Sequence, residues 1–176
     1  MASTLKIDTV TTPDGTGNIT FSRPITTASG AGAGKIVQVV HGSLNTQYTR
    51  TSMDDSYVSV GVAASITPTS SSNHVLVLID TYVKAASNHN NVVVQIHRDS
   101  TAIGGARQVS AGDSYSYVTP HVLNWKDSPS STSSLTYTLR GADLSDDGGT
   151  LYVNAGTIGS GETTCTSSII LMEVSA

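Results

Sequence analysis

From Lys35 onward, apolar and polar residues alternate in short runs. KIVQVVH (Lys35–His41), YVSVGVAASI (Tyr57–Ile66), HVLVLIDTYVK (His74–Lys84) and NVVVQIHR (Asn91–Arg98) come first. SYSYVTPHVLNW (Ser114–Trp125), SLTYTLR (Ser134–Arg140), TLYVNAGTI (Thr150–Ile158) and CTSSIILMEV (Cys165–Val174) follow. These runs are rich in Val, Ile, Thr and Tyr, whose branched or flat side chains suit a pleated surface. Between them lie turn-favouring clusters at 68–73, 87–91, 127–131 and 145–149. No apolar stripe with the i, i+3, i+4, i+7 spacing of a helix reaches helical length. Eight or more strands in roughly 140 residues, with no helices between them, predict an all-β antiparallel sandwich or barrel.

Two runs depart from simple alternation. In Val75-Leu76-Val77-Leu78-Ile79 and Ile169-Ile170-Leu171-Met172 every position is apolar. Successive strand residues face opposite sides, so both faces of these segments need a cover. One face meets the sandwich core. With no helices to shield the other, a neighbouring subunit is the economical cover, which predicts a homo-oligomer with these strands as core or subunit interface. The bland alternative is two chance apolar runs in a monomer.

The first 34 residues read differently. A Pro13-Asp14-Gly15 turn signal separates Leu5–Val10 from Asn18–Phe21. Leu5 and Ile7 share one face of a short strand, and Ile19 and Phe21 one face of another. A hairpin this small is marginal alone and needs a partner. Ala28–Gly34 is all small residues, as in a flexible linker. The layout predicted is an anchoring arm (1–27; Leu5, Ile7, Val10, Ile19, Phe21), a Gly/Ala linker (28–34) and a β-domain (35–176). Alternatively, the arm adds edge strands to its own domain.

Length and composition narrow the function classes. At 176 residues the chain is one ordinary domain plus an arm. Charged residues are only 12 % and the net charge is −4, so no basic surface is available for nucleic acid. About 50 residues are Ser or Thr, yet 38 % hydrophobic content can still furnish a core. A single cysteine excludes an internal disulfide framework and multi-cysteine metal sites. No apolar run approaches the ~20 residues of a membrane-spanning helix, and Met1–Lys6 lacks a signal-peptide layout. A soluble, hydroxyl-rich protein of the kind that assembles is the expectation.

Candidate chemistry is sparse. Gly30–Lys35 has the wrong spacing for a phosphate loop and Ile36 where Ser or Thr should stand. His41, His74, His89, His97 and His121 show no ligand spacing on one strand face. Asp143, Asp146 and Asp147 lack the full calcium-loop pattern and read as a solvated turn. Cys165 has no base or cationic neighbour in sequence and reads as a structural thiol. There is no G-x-S-x-G elbow, and Glu162 and Glu173 are the only glutamates, which is poor material for a glycosidase pair. No catalytic residue, cofactor or metal ligand is predicted. Tyr115 and Tyr117, with Trp125 beyond, are glycan-contact candidates through stacking; the alternative is that they fill the core.

Several segments resemble those of small bacteriophage tail-fibre and virion-appendage proteins. They are Ser3–Val10, Gly17–Phe21, Ser72–Ile79, Ile96–Gly104, Ser134–Arg140 and Ser168–Val174. The resemblance implies a C-terminal jelly-roll β-sandwich that forms a homotrimer, like tumour-necrosis-factor-like and complement-head-like domains, with the arm docking on the particle. The function it implies is a non-enzymatic virion surface protein, a short trimeric tail-fibre-like appendage involved in host recognition. Partners would be sister subunits, tail or capsid proteins and a host surface glycan, with no nucleic acid and no membrane insertion. The shaft repeats of long fibres are missing from this sequence, which keeps a capsid-decorating (cement) role open. A carbohydrate-binding module is a further alternative, and a polysaccharide depolymerase a remote one.

Overall fold

The alternating runs pair into antiparallel strands in a computed structural model that describes residues 34–86, 91–109, 118–145, 148–155 and 165–176. The chain divides into Met1–Ala33 and Gly34–Ala176. Everything described belongs to the second unit, so the arm residues Leu5, Ile7, Val10, Ile19 and Phe21, and linker residues 28–33, lie outside the described residues. The strands are β1 (Ile36–Leu44), β2 (Tyr48–Arg50), β3 (Val58–Ile66), β4 (His74–Ala85), β5 (Val92–Arg98), β6 (Thr101–Ala102), β7 (Arg107–Gln108), β8 (Thr119–Asp127), β9 (Leu135–Asp143), β10 (Leu151–Val153) and β11 (Ser167–Val174). Each of the eight alternating runs contains a strand. The short β2, β6 and β7 were not expected, because two or three residues carry no readable period.

The long β4 organises the first sheet. Val75–Val83 pair with β8 on one side. On the other side, His74–Asp80 pair with β11 and Val83–Ala85 with β10. β1 lies outside β11 and β2 outside β10, so the sheet reads β1-β11-β4-β8 across its main width. The second sheet reads β3-β9-β5, with β6 and β7 both on the free side of β5. Every pairing is antiparallel. Pro120, which has no N–H to donate, is accommodated because β8, among the described strands, is an edge strand paired with β4 alone. At the opposite edge β1 comes close to β3, and a Cβ on Gly42 would collide with the Ala63 carbonyl.

One core fills the space between the sheets. Val75, Val77 and Ile79 of β4 and Ile169 and Leu171 of β11 meet Val60 and Val62 of β3, Val94 and Ile96 of β5, and Tyr137 and Leu139 of β9. Each such aliphatic side chain, fully buried, contributes about 1.5–3 kcal/mol before ordering costs. The molecule is an all-β antiparallel sandwich.

Glu173 lies on the core-facing side of β11, with Ile169 and Leu171, and is 0 % exposed. Its Oε1 accepts from the Thr69 N–H (2.7 Å), the Thr69 hydroxyl (2.8 Å) and Asn73 Nδ2 (2.6 Å); its Oε2 accepts from Gln38 Nε2 (2.6 Å). It thus pins the 67–73 turn across the end of the sandwich. Burial alone would raise its pKa. The hydrogen bonds from Asn73, Gln38 and Thr69 outweigh that and hold it at about 2, below the usual 4.5 of a free glutamate. Because the folded value is the lower one, the carboxylate stabilises the fold above about pH 4.5, and that contribution is lost as the pH falls toward 2. Glu173→Gln sets an amide donor among donors. It should cost roughly one charged hydrogen bond, about 1.5–3 kcal/mol, at neutral pH. The variant should also lose less stability than the parent on acidification. Urea unfolding at neutral and acidic pH reads both, and parallel acid profiles would refute the assignment.

Candidate functional site

Strand alternation splits the two doubly apolar runs cleanly. Val75, Val77, Ile79, Ile169 and Leu171 point into the core, each at most 1 % exposed. Leu76, Leu78, Ile170 and Met172 share the opposite face, where nothing described in the same sheet covers them. The strand register arranges that outer face in rows. Val39, Met172, Leu76 and Lys126 lie side by side across β1, β11, β4 and β8. The next row is His41, Ile170, Leu78 and Asn124, and the third is Ser43, Ser168, Asp80 and Val122. Val39 is 57 % exposed, Val122 67 % and Leu78 38 %, while Leu76, Ile170 and Met172 are half-buried. The result is an apolar patch of Val39, Met172, Ile170, Leu76 and Leu78 across β1, β11 and β4, bordered on β8 by Lys126 and Asn124 and at its end by Asp80. Patches of this kind on a protein surface mark contact sites.

Trp125 occupies a different place. Its pairing with Val77 gives it the parity of the inter-sheet face. But among the described strands β8 is an edge strand, and the described residues across the groove from it come from β5 and the β6–β7 segment. Trp125 is therefore 43 % exposed rather than a core residue. It lines a groove of about 660 Å³ at this edge, together with Ile96, Gly105, Arg107, Leu123 and Lys126. Tyr115 and Tyr117 lie outside the described residues, so the described structure does not assemble the three aromatics as a stacking set.

The remaining candidates are dispersed. His41 is exposed on the outer face, His74 Nδ1 lies 3.0 Å from Ser128 Oγ, and His121 Nε2 lies 2.9 Å from Thr119 Oγ1. His97 is buried on β5 beside Tyr57, with Nε2 3.1 Å from Gln95 Oε1. Burial, then the Arg140 charge, lowers its pKa; burial, then Arg107, does the same for His121. His89 lies outside the described residues. Among the described residues no group of three His, Cys, Asp or Glu could hold a metal ion. Cys165 is half-buried.

The reading of Asp143 as part of a solvated turn is corrected: it is 0 % exposed. Its carboxylate accepts the N–H groups of Ser145 (3.1 Å) and Gly149 (2.8 Å), so it folds the turn under itself. Asp146 and Asp147 lie outside the described residues. Sequence reasoning also passed over the cluster of Arg98, Asp127 and Tyr137. Arg98 Nη1 donates to Asp127 Oδ2 at 2.6 Å and the Tyr137 hydroxyl donates to the same oxygen at 2.7 Å. Burial, then the neighbouring carboxylate, keeps that phenol protonated well above its usual range. Glu173 had a usable signal: it continues the inward parity of Ile169 and Leu171. The cluster had none, because its three members lie far apart in the chain.

No family model and no curated protein matches the chain. Among solved structures, the VP2 subviral particle of infectious bursal disease virus is similar at 13 % identity and a TM-score of 0.35, over 80 % of this chain. The match spans 38 % of that neighbour's length. The fold therefore rests on the strand pairings themselves.

Proposed function

We propose that this protein is a non-enzymatic structural protein of a virion surface, a homotrimer whose subunits cover one another's β1-β11-β4-β8 face and whose N-terminal arm grips the particle. The apolar outer face carries this reading. A row such as Val39, Met172 and Leu76, left in water, forgoes burial that a sister subunit would supply at about 25 cal/mol per Å². A closed ring of identical copies satisfies every such face at once. Strand order supports the jelly-roll form: two sheets, each four strands across, exchange successive strands as in an eight-stranded jelly roll.

The virion assignment rests on the resemblance of Ser3–Val10, Gly17–Phe21 and the β-domain segments to phage appendage proteins. Attachment would work by burial of Leu5, Ile7, Val10, Ile19 and Phe21 and backbone pairing of the arm, multiplied through the effective concentration of three arms linked in one trimer. Sedimentation of the full chain tests the assembly: three chains are expected, and a single-chain species would refute it. Deleting residues 1–24 should leave the trimer intact and abolish incorporation into particles; normal incorporation would refute the anchoring role. The cement reading uses the same surfaces and is favoured instead if the protein is present in many copies per shell and raises the temperature at which capsids rupture.

A further inference from the structure

We infer that the groove at the β8 edge binds an acidic saccharide, a sugar ring carrying a carboxylate. Trp125 supplies the flat apolar wall, on which the C–H face of a sugar can stack while its hydroxyls stay in water. The groove, about 660 Å³ in volume, falls within the size range of small-ligand sites. It is open rather than enclosed, which suits a ligand with one apolar face more than a wholly apolar one. Asn124 adds an amide that can exchange hydrogen bonds with hydroxyls.

Charge selects the acid. Arg107 and Lys126 both line the groove, and neither forms an ion pair with a described residue. No Asp or Glu is among its described lining residues, although the chain as a whole carries −4. The neighbouring Asp127 is turned inward and committed to Arg98 and Tyr137. The Arg107 charge also reaches β8, where, after burial, it helps lower the pKa of His121. Leu76 and Leu78 line the groove and also belong to the outer-face patch, so the groove borders the face proposed to meet a sister subunit. The described lining residues all belong to one chain, but Leu76, Leu78, Asn124 and Lys126 stand on the outer face that the proposed trimer covers, so the site requires that the sister subunit leave the β8 edge open.

Trp125 is the sole tryptophan, so its fluorescence reports on this groove alone. Titration of the full chain with trigalacturonate and with sialyllactose should give a saturable change in emission with at least one of them. Neutral maltotriose should bind at least about tenfold more weakly. Arg107→Ala with Lys126→Ala should weaken the acid about tenfold and flatten its salt dependence. Gly105→Leu is the blocking variant. A Cβ there meets nothing within 4 Å and the backbone is not left-handed, so the fold tolerates a side chain on this lining residue. It should abolish binding while sedimentation stays unchanged. No saturable change with either acid, equal binding of the neutral sugar, or unchanged binding in Gly105→Leu would overturn the inference. A single-chain species that still binds would overturn the trimer and leave this site standing.

Discussion

Ile170→Asp is expected to separate the assembled protein into folded single chains. Ile170 sits at the centre of the apolar face, between His41 on β1 and Leu78 on β4. Within one chain it is only half-buried and points away from the core, so a carboxylate there stays hydrated and the sandwich survives. In a trimer that covers this face, each copy would bury a charge without a cationic partner. Removing the isoleucine forfeits about 1.5–3 kcal/mol per subunit, and an unpaired buried carboxylate costs several kcal/mol more. Three copies multiply the penalty. Ile170→Val, which keeps the apolar surface, should remain assembled. Sedimentation reads the outcome, with circular dichroism to show that the strands persist. An assembled Ile170→Asp protein would mean that the subunits meet elsewhere.

The second large effect concerns the fold itself. Asp127→Ala should lower unfolding stability by about 3–5 kcal/mol, because it strands the Arg98 guanidinium and the Tyr137 hydroxyl next to the core. Tyr137 is 0 % exposed and Asp127 7 %. Asp127 ends β8 in one sheet while Arg98 ends β5 in the other, so the ion pair ties the sheets together at the edge beside the groove. Tyr137→Phe removes one hydrogen bond and leaves the ion pair, and should cost only about 1–2 kcal/mol. Replacing charge and partner together, Arg98→Met with Asp127→Leu, should recover most of the loss, since the penalty comes from stranding one charge. Chemical unfolding of the four proteins tests this, and equal stability of Asp127→Ala and the parent would show that the cluster does not brace the sheets.

These two residues illustrate how far the sequence could be read. The apolar excess around Ile170 is a local property. Four consecutive apolar residues on a strand place two on each side whatever the partners are, so the need for a second cover is visible before any fold is known. Asp127 looked like the start of a turn, Asp127-Ser128-Pro129, and its neighbours in the chain give no hint of a guanidinium. Its partners stand 29 and 10 residues away, and only the register of β8 and β9 and the packing of the sheets bring them within 3 Å. For Trp125 the sequence leaves two readings open, glycan contact or core, for the same reason. An aromatic residue on the inward parity belongs to the core in a central strand but becomes a groove wall in an edge strand.

By itself, then, the alternation of side chains determined that the chain is all-β and roughly where its long strands run. It also showed that β4 and β11 have two apolar faces, because strand periodicity is set by residues one and two positions apart. Tertiary structure alone decided which parity faces the second sheet, which strands stand at the edges, which groups Glu173 meets, and that Asp127 and Asp143 are buried with partners. Those outcomes depend on pairings between segments up to about 140 residues apart, such as β1 with β11, and on the space left between two sheets. No short window of sequence contains that information.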